Sequence, residues 1–191
     1  MKPLLKSLLF CFIFLLSCTP IAVGPPPTKI PIGSTQEIGF QHSTALQVEG
    51  SDINQMFLEE AIWYRKQLNS NSEVQLAGGA FWNGTPIFYG FVGYRRYFTF
   101  ADGGEFGIDV KVGPPFYAEV GIPLQQQIGE RPIWLTTHPS AGLNAFGALH
   151  IPLGLSWQPK DKINCNTAIG ARFIGENPSL FYWNTGISFP F

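Results

Sequence analysis

From about residue 32 onward, apolar side chains recur at every second position, and that period builds strands with two unlike faces. The clearest run is 143–158. One face reads Leu143, Ala145, Gly147, Leu149, Ile151, Leu153, Leu155, Trp157, and the other Asn144, Phe146, Ala148, His150, Pro152, Gly154, Ser156, Gln158. Segments 32–46, 73–82, 87–100, 105–113, 116–125, 163–174 and 181–191 repeat the pattern with varying clarity. Eight strands is an even number, which suits an all-β, antiparallel, up-and-down barrel with no unpaired edge. One stretch departs from the period. Ile53, Met56, Phe57, Ala61, Tyr64 and Leu68 are spaced as on a helix. Asp52 is placed to cap it, and Glu59 and Glu60 precede Arg65 and Lys66 in the order the helix dipole favours. The spacing predicts one helix over 52–68, inserted after the first strand and packed as a cap.

Which face turns inward follows from composition. Charged residues make up 13% of the chain, about half the usual share for a soluble domain. A formal charge of −1 leaves no basic excess for nucleic acid. Residues meant for water would be largely Lys and Glu. The non-apolar faces carry instead Gly, Ala, Ser, Asn and Pro, with isolated Glu37, Asp109, Lys111, Glu119 and Arg172. Small residues and a few opposite charges fill the inside of a narrow barrel, where the charges have to pair. The predicted fold is therefore a transmembrane barrel with a packed lumen. The alternative is a periplasmic lipocalin-like barrel with its apolar faces inward, holding an apolar ligand. Turn lengths enter as a second argument. With strand one running outward, 83–86, 113–115 and 159–162 are short periplasmic turns, while 47–72 and 126–142 are long outer loops.

The N-terminus reads as a leader. Lys2 and Lys6 precede an apolar run from Leu8 to Leu16, too short to span a bilayer. Leu15-Leu16-Ser17-Cys18 resembles the bacterial lipobox. The resemblance implies a signal peptide over 1–17, cleavage before Cys18 and a lipid on that cysteine. Ordinary cleavage near Ala22–Gly24, with Cys18 lost, is the alternative. Thr19 is not the Asp that retains such lipoproteins in the inner membrane, so the resemblance implies sorting to the outer membrane with a periplasmic N-terminus. Cys165 then stands alone, without a partner for a disulfide or a metal cluster. Pro20, Pro25, Pro26, Pro27 and Pro31 make 18–31 read as a stiff tether ahead of a barrel domain over 32–191.

The last strand sets Phe181, Trp183, Thr185, Ile187, Phe189 and Phe191 against Tyr182, Asn184, Gly186, Ser188 and Pro190. It resembles the terminal strand of outer-membrane proteins. In this resemblance Phe181, Trp183, Ile187, Phe189 and Phe191 form the signal read by the barrel-assembly machinery, and the chain as a whole is similar to small OmpA- and OmpX-like barrels. The partners implied are outer-membrane lipids and, during insertion, that machinery. Trp82, Trp157 and Phe189 are expected at the periplasmic interface, and Phe181 and Trp183 at the outer one.

Chemistry is sparse. His138-Pro139-Ser140 superficially resembles the His-x-Ser of lipid A deacylases, but the acidic residue that would orient the His is replaced by His150. A barrel enzyme acting on lipid is thus a weaker alternative. His42, His138 and His150 have no metal-ligand spacing. The reading names no catalytic residue and no cofactor, and expects a structural or surface-interaction role through the outer loops.

Overall fold

The computed structural model describes residues 25–31, 33–49, 52–100, 104–113, 117–142, 148–174 and 177–191. These described residues form twelve strands: β1 (Gln36–Glu49), β2 (Asp52–Asn69), β3 (Ser72–Asn83), β4 (Thr85–Thr99), β5 (Glu105–Gly113), β6 (Tyr117–Gly121), β7 (Leu124–Gln127), β8 (Ile133–Thr137), β9 (Ser140–Gly142), β10 (Ala148–Lys160), β11 (Ile163–Ile174) and β12 (Asn177–Pro190). Antiparallel pairing runs β1 to β6, then β9 to β12, and returns from β12 to β1. That is a closed ring of ten strands. The remaining two, β7 and β8, prolong β6 and β9 below the ring without a shift of register. β5 meets β6 at Asp109↔Gly121 and β7 at Glu105↔Gln125, while β10 meets β9 at His150↔Ser140 and β8 at Leu153↔Thr137. The breaks fall at 122–123 and 138–139. At each break a proline, Pro123 or Pro139, lacks the N–H that the ladder needs there.

The eight-stranded barrel with an inserted helix is therefore corrected to a ten-stranded barrel, with no helix among the described residues. The segment 52–68 belongs to β2. Its helical spacing arose because both faces carry apolar groups. Met56, Leu58, Ile62 and Tyr64 point outward, while Phe57, Ala61 and Trp63 are buried inside beside Glu59 and Arg65. Two-sided apolarity hides a period of two. The other missing stave is β8 with β9, which Gly129, Pro132 and Pro139 disguised as a loop.

Two extra staves also re-sort the turns. Taking the end that holds Gln36 and Phe191 as proximal, 161–162 lies there, whereas Gly84, Gly113 and Tyr117 lie at the distal end. Trp82 consequently sits distally with Phe181 and Trp183, and Trp157 and Phe189 sit proximally. No connection exceeds five residues, so the long loops 47–72 and 126–142 do not exist as loops. The tightest turn has Gly84 alone between Asn83 and Thr85, at φ 77°, a left-handed conformation that a side chain would strain.

The faces are inside-out relative to a soluble barrel. Ile62, Phe88, Leu153, Ile169 and Trp183 are among thirty exposed large apolar side chains of the described residues. The fully buried side chains include Arg65, Arg95, Glu37, Glu59, Glu73 and Asp109. Lipid, not water, matches such an exterior. Among the described residues Trp63 is the largest fully buried side chain, and its ring occupies the place a Cβ on Gly39 would take. Gly39→Val is expected to destabilise the barrel by about 1–3 kcal/mol, through overpacking against an immobile ring. A lower urea midpoint for loss of the compact, unboiled gel band would register it.

Candidate functional site: the occupied lumen

A circumferential ladder of alternating charge lines the proximal half of the lumen. Antiparallel register places Glu37 of β1 opposite Arg65 of β2, Glu73 of β3 opposite Arg95 of β4, Arg95 opposite Asp109 of β5, and Lys111 of β5 opposite Glu119 of β6. Directly opposed side chains on one face are the closest neighbours a sheet provides. Arg65 accordingly binds Glu37 through its Nε, at 2.6 Å, and lies 3.5 Å from Glu73. Arg95 Nη2 is 2.8 Å from Asp109 and its Nη1 is 3.4 Å from Glu73. Lys111 is 2.7 Å from Glu119 and 3.8 Å from Asp109, and His138 Nε2 is 3.2 Å from Asp109. Neutral donors complete the set. Asn164 and Ser188 donate to Glu37, and Tyr117 donates to Glu119 at 2.7 Å. At the distal end the lumen turns apolar, where Ala45, Phe57 and Tyr182 pack with Phe81 and Leu180, and Phe57 stacks on Phe81 at 5.2 Å.

The N-terminal segment 25–31 runs inside this lumen. At the proximal rim, Ser34 N–H donates to Pro31 O, and the backbones of Thr35 and Gln36 are tied to Phe191. From there, read backwards, the chain climbs. Lys29 pairs with Glu105 at the foot of β5 and lies over the Tyr97 ring. The Thr28 carbonyl accepts from Arg65 Nη1 and from the Tyr97 hydroxyl, at 3.2 Å from the latter. The Pro26 carbonyl accepts from Arg95 Nη1 at 2.8 Å. Thr28 and Ile30 are buried. Pro25, Pro26 and Pro27 border a small cavity of about 70 Å³, which Lys111, Glu119 and His150 also line. A proline-rich strand is chemically suited to this place. It has carbonyls for the arginines to bind and few N–H groups that would need partners of their own. Eight strands enclose a space just filled by side chains, and ten enclose a wider one. Here the segment takes up the difference.

Glu37, Asp109, Lys111, Glu119 and Arg172 all lie buried within the lumen. Sequence reading missed Arg65, Glu59, Glu73 and Arg95. Arg65 and Glu59 fall within the predicted helix, while Glu73 and Arg95 lie in segments 73–82 and 87–100 and turn inward there. Phe181, Trp183, Ile187, Phe189 and Phe191 face outward along the strand that closes the ring on β1. Cys18 lies outside the described residues. His138 sits at the break between β8 and β9, packed against Gly121 and Asp109 inside the barrel. Among the described residues no group of His, Cys, Asp and Glu is arranged to hold a metal ion.

No protein-family profile matches the chain, and no curated protein matches it in sequence. Solved structures do match in fold. An outer-membrane channel from Pseudomonas putida aligns with a TM-score of 0.55 at 12% identity, over 89% of this chain and 100% of its own. The KdgM porin aligns at 0.49 and 6% identity, over 81% and 99%. Ail, the attachment invasion locus protein of Yersinia pestis, aligns at 0.42 and 16% identity, over 83% and 97%.

Proposed function

We propose that this chain, which has the fold of an outer-membrane β-barrel, is a lipid-anchored envelope protein whose lumen is closed by its own N-terminal segment. Its role is structural rather than catalytic or conducting. The occupation of the lumen by residues 25–31, held by Arg65, Arg95 and Tyr97, carries this reading. The Pseudomonas putida protein is a channel, but a channel needs a water path, and here alternating charges and a threaded backbone fill it. Short connections at both ends leave little extended loop for a surface partner to grip. Outward apolar faces also speak against the lipocalin-like alternative, since an apolar ligand would find carboxylates and guanidinium groups inside. His138 and Ser140 point to the lumen, away from any lipid acyl chain, which removes the geometric basis for the lipid-acting enzyme. In this reading Cys18 carries the lipid, residues 1–17 are its leader, and the terminal strand from Phe181 to Phe191 is presented to the barrel-assembly machinery.

Two measurements test it. The full-length Cys18→Ala protein should lose its lipid mass yet stay in the outer membrane after carbonate and urea washing, with a heat-modifiable gel band. Its release into the periplasm would sink the integral-barrel reading. The full chain reconstituted in planar bilayers should give no steady conductance, and regular open steps from the intact protein would sink the closed-lumen reading.

A further inference from the structure

Two cation doublets divide between the faces of their strands. At Arg65-Lys66 on β2 and Arg95-Arg96 on β4, the first member is wholly buried in the lumen and held by carboxylates, while Lys66 and Arg96 stand exposed on the outer wall. Neither outer cation has an acidic partner among the described residues. Register shows why. Lys66 lies opposite Gln36 of β1 and Val74 of β3, and Arg96 lies opposite Ser72 of β3 and Ile108 of β5. The outward carboxylate on β2, Glu60, is six residues distal of Lys66 and is engaged by His42. Both cations lie three residues before the proximal ends of their strands, at Asn69 and Thr99. Val74 is also opposite Tyr94, one pleat distal of Arg96. With strands about 4.8 Å apart and a rise of about 3.4 Å per residue, the two Cα atoms are roughly 12 Å apart, within the combined reach of the two side chains.

We propose that Lys66 and Arg96 together bind the phosphate of an anionic glycerophospholipid in the leaflet at the proximal end of the barrel. The proposal rests on the reading of the chain as a membrane barrel, and charge complementarity carries it. The counter-ions of Arg65 and Arg95 are built into the chain, whereas those of Lys66 and Arg96 are not. A cation on a lipid-facing wall is costly in hydrocarbon and is satisfied where phosphates lie. The surroundings place the pair at that boundary. Distally the wall is hydrocarbon-like, with Ile62, Leu76 and Val92 between 49% and 59% exposed. At the level of the cations it carries tyrosines, whose rings suit an interface. Tyr64 donates to Gln36 at 2.7 Å, and Tyr94 is exposed. Arg96 leans proximally over the Phe98 ring, 5.5 Å from its centroid, away from the apolar wall. A zwitterionic headgroup carries its own ammonium beside the phosphate, which two cations repel, so a headgroup of net negative charge is selected. Above the pair, Gly78 and Gly90 face each other across β3 and β4, and a Cβ on Gly78 would meet nothing nearer than 3.5 Å. The wall is low there, and an acyl chain rising from the bound headgroup lies against it.

Native mass spectrometry of the full-length protein, released from micelles holding equal amounts of phosphatidylglycerol and phosphatidylcholine with the same acyl chains, tests the proposal. Wild type should retain phosphatidylglycerol with a preference of at least about tenfold. Lys66→Gln and Arg96→Gln should each lower that preference about fivefold, and K66Q/R96Q should bring it within about threefold of none. Arg96→Lys keeps the charge and should keep most of the preference. Equal retention of the two lipids by wild type overturns the proposal, as does a double variant that prefers phosphatidylglycerol as strongly as wild type. A stronger preference for lipid A than for phosphatidylglycerol also overturns it, because the phosphate would then come from a different class of lipid. Membrane retention and heat-modifiable migration of wild type and of the double variant are read alongside. A folded, retained barrel without the preference removes this site alone, whereas loss of retention in wild type removes the membrane-barrel reading itself.

Discussion

Replacing Arg95 by Met is expected to destabilise the barrel by about 3–5 kcal/mol, because it strands buried carboxylates without their cation. Arg95 is wholly buried and holds four groups at once: Asp109, Glu73, the Pro26 carbonyl and the Tyr97 hydroxyl. Met fills the volume but returns none of the charge. Asp109 would keep only Lys111, at 3.8 Å, and His138, at 3.2 Å. Adding Asp109→Leu to the first change should recover part of the loss, since the pair is then removed together and one carboxylate no longer lies uncompensated. The neighbour supplies the control. Arg96 points outward from the same strand, over the Phe98 ring, so Arg96→Met should change stability by no more than about 1 kcal/mol. Urea unfolding in detergent, followed by tryptophan fluorescence and by the unboiled gel band, would read all three. Equal effects at positions 95 and 96 would mean that the ladder contributes little beyond ordinary surface packing.

That contrast between two adjacent arginines also marks what a one-dimensional reading can reach. In 105–113 the alternation is clean, with Ile108, Val110 and Val112 outward and Asp109 and Lys111 inward, and the structure uses it unaltered. At Arg65-Lys66 and Arg95-Arg96 two like charges are adjacent, and only register decides which one enters the lumen. In β2 the inward face holds Phe57 and Trp63 while the outward face holds Glu60, so neither face is uniformly apolar. Amphipathic patterning then fails at the strand where the barrel departs most from a simple lipid-out, polar-in division. Missing β2 and the β8–β9 stave changed the number of strands while keeping it even. Ten strands close the ring as eight would, but two more staves exchange the ends at which the turns lie. The placement of 25–31 had no local signal at all. Proline-rich composition means an extended chain without donors, equally suited to a solvated linker or to a lumen whose walls donate. The deciding fact is that Arg65 and Arg95, far along the chain, have guanidinium hydrogens left over from their carboxylates and aimed at those carbonyls.

The same fact makes the segment's removal the other large effect. A protein in which 25–31 is replaced by a Gly/Ser stretch of equal length keeps its chain length, but loses the Lys29 pairing with Glu105 and the buried Thr28 and Ile30. A Gly/Ser segment is a flexible coil with a large ordering entropy, so it should leave the lumen rather than replace the original. Planar bilayers are then expected to show discrete conductance steps where the intact chain shows none. The sign of ion preference follows from the walls. Among the described residues, six lumen carboxylates (Glu37, Glu59, Glu73, Glu105, Asp109 and Glu119) face four cations (Arg65, Arg95, Lys111 and Arg172). The excess is negative once Lys29 has gone, so the reversal potential in a salt gradient should show preference for cations. Lys29→Glu within the intact segment should act in the same direction more weakly, because it opposes Glu105 while leaving the arginine–carbonyl bonds in place. Brief, infrequent openings would be its signature. If the replaced protein stays silent while its gel band and membrane retention show a folded barrel, the charge ladder and the distal Phe57–Phe81 cluster alone suffice to close the lumen, and the segment would be a passenger rather than the plug.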